Sequence, residues 1–90
     1  MNKPKPFFSI IIPALNEEKY LPKLLGDLST QTYQDFEVIV VDGGSKDKTI
    51  SLANSFVDKL PKLTVLTSHR AHACTQRNFG ASHANTEVLI

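Results

Sequence analysis

Ninety residues suffice for one small domain and not for two. A hydrophobic content of 41%, a charged content of 21% and a net charge of +1 describe an ordinary globular protein, and with no basic block they exclude a nucleic-acid footprint. No apolar run approaches the ~20 residues of a membrane helix, and the lone cysteine, Cys74, allows no internal disulfide, which predicts a reducing, cytoplasmic setting.

Residues 1–6 place Lys3 and Lys5 between Pro4 and Pro6, an exposed lead-in. Phe7 to Ile12 is apolar and β-branched at three positions, which predicts a strand that Pro13 stops. Acidic residues follow it instead of a small-residue cleavage site, so it does not read as a secretory signal. Asn16 is placed to cap a helix opening at Glu17, where Glu17 and Glu18 favour the first turn. Tyr20, Leu21, Leu24, Leu25 and Leu28 recur on one face of that helix, and Pro22 is tolerated only near its start.

Phe36 to Val41 reads as a second strand with too little polar alternation to leave a face in water. Ser45 or Asp47 is placed to cap a second helix, with Ile50, Ala53, Phe56, Val57 and Leu60 as its stripe and Pro61 as its end. Leu63 to Leu66 predicts a short third strand. Ala71 to Ala84 predicts a third helix with a weaker stripe, interrupted by Gly80. Thr86 to Ile90 begins a fourth apolar run.

This alternation implies right-handed crossovers and an α/β fold: a Rossmann-like parallel sheet with helices on both faces. The expected strand order is 3-2-1-4, which opens the segments after Ile12 and Val41 into one crevice. Residues 7–90 then form one unit that stops at its fourth strand, the front part of something longer.

Two segments carry chemistry at that crevice. In Pro13-Ala-Leu-Asn-Glu17 the strand-to-helix turn offers backbone N–H groups to an anion or a base edge, and equally serves as a strand stop and helix cap. Asp42, followed by Gly43 and Gly44, puts a carboxylate at the carboxyl edge of the sheet, where ligands of open α/β folds sit. Either the Ser45–Thr49 segment or a ligand rich in N–H and O–H donors satisfies it. Neither a P-loop nor a G-x-G-x-x-G motif is present. Arg77 in the third helix is an exposed cation or a partner for phosphate or a base edge. His69, His72 and Cys74 supply at most three ligands in one short segment, and surface histidines with a buried thiol account for them better than zinc. His83 suits a helix end through a favourable dipole contact.

Ser9-Ile-Ile-Ile-Pro-Ala-Leu-Asn-Glu17, Glu37-Val-Ile-Val-Val-Asp-Gly-Gly-Ser-Lys-Asp-Lys-Thr49 and Arg77-Asn-Phe-Gly-Ala81, in that order, resemble a family 2 glycosyltransferase. The resemblance implies the GT-A fold and transfer of a sugar from a nucleoside-diphosphate sugar to a saccharide or lipid-linked acceptor, at the cytoplasmic face of a membrane where the acceptor is a lipid. It implies that Pro13, Ala14, Leu15 and Glu17 line the nucleotide pocket, that Asp42 hydrogen-bonds the base beside the Gly43–Gly44 turn, and that Arg77 points toward the nucleotide. Leu15 stands where many relatives carry an aromatic residue. The resemblance also implies Mg2+ or Mn2+ held by an aspartate pair after the fourth strand, with an acceptor-activating carboxylate further on. Neither falls within residues 1–90, so no catalytic residue and no metal ligand is assigned in this chain, which is expected to be inactive alone. Two rivals stand beside this reading: a non-catalytic nucleotide-binding or subunit-pairing α/β domain, and a nucleotidyltransferase-type domain, whose glycine- and lysine-bearing phosphate loop Pro13–Glu17 does not match.

Overall fold

The computed structural model describes residues 8–68 and 73–84, the side chains of 73–75 excepted. Six elements alternate: β1 (Phe8–Ala14), α1 (Leu21–Ser29), β2 (Phe36–Asp42), α2 (Thr49–Asn54), β3 (Leu63–Thr67) and α3 (Ala73–Ser82). The strands are parallel in the order β1-β2-β3, with Ala14 opposite Asp42 and Asp42 opposite Thr67. This is the 3-2-1 part of the expected order. The fourth run at 86–90, the lead-in at 1–6 and the pair His69 and His72 lie outside the described residues.

All seven residues of β2 are buried, because helices cover both faces of the sheet. Phe36, Val38 and Val40 pack with Ala14, Leu21, Leu25, Ala53 and Leu60 against α1 and α2. The alternate residues Ile39 and Val41 join Ile11 on the face that α3 covers. Each such side chain contributes about 1.5–3 kcal/mol when fully buried. Glu37 shares the α3 face at the opposite end of the strand, where its carboxylate accepts a 2.6 Å hydrogen bond from the Ser9 hydroxyl and lies 4.0 Å from Lys62 Nζ.

Gly80 explains the break in the apolar stripe of α3. A Cβ there would stand 2.7 Å from Ile11 Cγ2 and 2.8 Å from Val41 Cγ2, so the helix backbone lies directly on the strand side chains. The residue that weakens the helix is the one that lets it dock.

The structure corrects three boundaries. β1 does not stop at Pro13 but runs through it to Ala14. The Ala14 carbonyl accepts from Gly43 N at 2.9 Å, so the preceding proline nitrogen faces away from β2 and removes no rung between the two strands. α1 begins at Leu21 rather than Glu17, its N-cap is Tyr20, and Asn16 caps nothing. Pro22 does fall in its first turn, as its fixed geometry requires. α2 ends at Asn54, well before Pro61, and residues 55–59 continue as hydrogen-bonded turns. Ala53 and Leu60 are buried as expected, whereas Val57 is exposed.

Candidate functional site at the carboxyl edge of the sheet

The loops that leave β1 and β2 meet at the carboxyl edge and are sewn together. Asn16 takes a left-handed conformation, φ 52°, and its Oδ1 accepts from Lys46 N at 2.8 Å. Asparagine tolerates this region better than most residues, which is why it sits there without being a cap. The amides of Asn16 and Glu17 donate to Ser45 Oγ and Thr49 Oγ1, both at 2.8 Å, and Glu18 N donates to Asp47 Oδ2 at 3.2 Å. Lys48 N completes the seam by donating to Glu18 Oε2 at 3.3 Å.

Both hydroxyls act as relays. Ser45 Oγ, having accepted from Asn16, donates to Asp42 Oδ1; Thr49 Oγ1, having accepted from Glu17, donates to Asp47 Oδ1. Asp42 Oδ2 further accepts from Gly44 N at 2.9 Å and Ser45 N at 2.8 Å. The carboxylate at the end of β2 is therefore fully buried and satisfied by its own turn, the local one of its two possible partners. Desolvation pushes the Asp47 carboxyl up, but hydrogen bonds from the Thr49 hydroxyl, Thr49 N and Glu18 N outweigh it and hold the group below its ordinary value of 3.8. Asp47 accepts from Thr49 N at 2.9 Å, so it meets the first amide of α2 although the formal N-cap is Lys48.

This seam corrects the expectation that the Pro13–Glu17 turn presents free amides. Asn16, Glu17 and Glu18 donate across to the second loop, while Gly43, Gly44, Ser45 and Lys46 donate to Ala14, Asp42, Asp42 and Asn16.

Three of the expected pocket residues, Pro13, Ala14 and Glu17, line one cavity of about 200 Å³ together with Ile12, Tyr20, Leu21 and Leu24. Small-molecule sites run to about 300–1,000 Å³, so this cavity falls short of a complete site of that kind. Leu15 lies outside it, in the loop that leaves the same edge, and is 40% exposed. Gly43 and Gly44 form the turn beside Asp42. Gly44 has φ 101°, a conformation that requires glycine, with open space where its Cβ would be. Arg77 is exposed on α3, and its side chain makes no hydrogen bond or ion pair among the described residues. His83 meets the expected helix-end role: its Nδ1 lies 3.0 Å from the Phe79 carbonyl, and its ring packs edge-on against Phe79 at 4.8 Å.

One residue at this edge escaped the sequence reading. Gln76 is 3% exposed, and its Nε2 donates to the Ala14 carbonyl at 3.0 Å and the Val41 carbonyl at 2.8 Å. Its signal was positional: it lies four residues before Gly80, on the helix face that the glycine marks as the docking face. Among the described residues no three histidine, cysteine, aspartate or glutamate side chains converge to hold a metal ion, and no helix is long and apolar enough to cross a membrane.

Comparison with known proteins agrees with this architecture. The model of the family described as "Glycosyl transferase family 2" matches residues 9–90. A PGL/p-HBAD biosynthesis glycosyltransferase of Mycobacterium tuberculosis is 46% identical over 61 residues, which is 68% of this chain and 24% of that protein. The poly(ribitol-phosphate) beta-N-acetylglucosaminyltransferase TarS of Staphylococcus aureus is 34% identical over 86 residues, covering 92% of this chain and 15% of that protein. The crystal structure of TarS 1–349 superposes with a TM-score of 0.86 at 33% identity, over 93% of this chain and 26% of that one. The same TarS segment in complex with UDP-GlcNAc superposes with a TM-score of 0.84. The chain thus spans about a quarter or less of the length of these relatives.

Proposed function

The chain belongs to glycosyl transferase family 2, and on that premise we propose that it forms the donor-nucleotide part of an enzyme that moves a sugar from a nucleoside-diphosphate sugar to an acceptor hydroxyl. In that reaction the hydroxyl attacks the anomeric carbon while the nucleoside diphosphate leaves with inversion. The observation that carries the reading is the meeting of the Pro13–Glu17 and Asp42–Ser45 turns at neighbouring strand ends, Ala14 opposite Asp42. Pro13, Ala14 and Glu17 form one wall of the nucleotide pocket, with Leu15 at its rim. Gly43 and Gly44 let the donor approach the backbone, because no side chain stands between. Asp42 acts through its turn: it holds the Gly44 and Ser45 amides in place beneath the donor. Arg77 supplies positive charge from α3 toward the diphosphate.

Structures of TarS with UDP and with UDP-GlcNAc support uridine nucleotides as the first ligands to test. Titration of the chain with UDP, GDP and dTDP, with and without Mn2+, is expected to show weak binding of UDP. Amide shifts should be confined to residues 13–17 and 42–45 and to the neighbourhood of Arg77. Asp42→Ala releases three hydrogen bonds of the turn and should weaken binding by about tenfold. Equal affinity for the variant and the parent would remove Asp42 and its turn from the pocket.

A further inference from the structure

We propose that Gln76 is a positioning residue for the donor site: its buried side-chain amide pins the carboxyl ends of β1 and β2 at a fixed separation and thereby fixes where α3 presents Arg77. The inference rests on the nucleotide-binding reading of this edge.

The geometry is specific to glutamine. Nε2 carries two N–H groups, and each meets a main-chain carbonyl, one from Ala14 and one from Val41. Ala14 ends β1 and stands opposite Asp42, so the pin sits at the last rung before the two loops diverge. The Ala14 carbonyl also accepts from Gly43 N at 2.9 Å, which joins the pin to the glycine turn through one oxygen. A leucine has the reach and no donor. An ionised glutamate has the reach and sets negative oxygens against two carbonyls. Asparagine has the donors and falls one methylene short.

The pin also orients the helix. Four residues on, Gly80 rests on Ile11 and Val41, so α3 touches the sheet through a polar contact at Gln76 and a close backbone contact at Gly80. Two contacts on one helix face fix both its height and its rotation. Arg77, the next residue along, is exposed as a consequence. One side chain thus controls the spacing between Pro13–Ala14 and Asp42–Gly43 together with the position of the cation.

The test compares UDP affinity of the parent chain with that of Gln76→Leu and Gln76→Glu. At about pH 8 both variants are expected to bind UDP about tenfold more weakly, from two lost hydrogen bonds. Burial against two carbonyls raises the carboxyl pKa of Gln76→Glu, so at about pH 5 it takes a proton, regains an O–H donor and recovers affinity. Gln76→Leu should not recover, and a purely packing role would leave the two pH profiles alike. Parent-like binding by Gln76→Glu at about pH 8, or identical pH profiles for the two variants, overturns the proposal while leaving the nucleotide reading intact. No UDP binding by the parent chain overturns both. Should the two variants fail to fold, Gln76→Asn is read by hydrogen exchange. Exchange several-fold faster at Gly43 and Ser45, with Ile39 unchanged, supports the pin; unchanged exchange at Gly43 overturns it.

Discussion

Asn16 and Gly44 both take left-handed backbone conformations, one for its side chain and the other for its lack of one. Gly44 has empty space around it, so any L-residue placed there meets backbone strain alone. Asn16 combines a tolerable φ of 52° with an Oδ1 that accepts from Lys46 N. The two contributions separate by substitution. Asn16→Gly keeps the backbone and loses the bond, and should cost about 1 kcal/mol. Asn16→Ala adds the left-handed penalty, for a total of about 2 kcal/mol. Asn16→Val, β-branched, should be the worst at about 3 kcal/mol. Urea denaturation of the three variants gives the order directly. Equal losses for glycine and alanine would mean that the backbone conformation contributes nothing and that the Lys46 contact alone matters.

At the level of elements, α3 sets helix propensity against packing. Propensity alone says that Gly80→Ala stabilises the helix by about 1 kcal/mol. Packing says the reverse, because the new methyl would stand under 3 Å from Ile11 and Val41, β-branched residues held in paired strands. We expect packing to win, with a net loss of about 1–3 kcal/mol, seen as a lower urea midpoint. A raised midpoint would show that α3 can lift off the sheet at little cost. The same competition marks what was legible in the sequence. β2 was readable because a buried strand announces itself by composition, and tertiary contacts reinforce that pattern; the half-buried β3 was readable from its short run of apolar and β-branched residues. The start of α1 was not, because asparagine suits an N-cap and a left-handed turn equally, and only the neighbouring loop, 29 residues on at Ser45, decides between them. Pro13 misled for a related reason: its cost to a strand depends on which way its nitrogen faces, a property of register and not of residue type. The early end of α2 at Asn54 leaves Leu60 buried by a different route, through turns instead of helix.

Across the whole molecule, the alternation of strands and helices made the parallel sheet legible, and strand ends in such a sheet made the meeting of the two loops at one edge, the candidate site, legible. Its internal wiring was not. Asp42 showed as a carboxylate in need of a partner, but nothing in its neighbours revealed that Ser45 serves both it and Asn16. Gln76 belonged to no recognised pattern because it acts on main-chain carbonyls distant in sequence. What unites these pieces is β2, the strand common to both cores and to the site. Val40 faces the α1 and α2 layer, Val41 faces α3, and both are fully buried. If the sheet couples the two layers, Val40→Ala and Val41→Ala should each cost about 2–3 kcal/mol and lower the stability of the entire domain as one transition. Val57→Ala, on an exposed side chain, should stay within about 0.5 kcal/mol. Hydrogen exchange under increasing urea distinguishes the alternatives. Parallel loss of protection in α1 and α3 for both β2 variants indicates one cooperative unit. Loss in α1 alone for Val40→Ala and in α3 alone for Val41→Ala would mean two independent layers, and the proposed donor site at their shared edge would then lack a rigid floor.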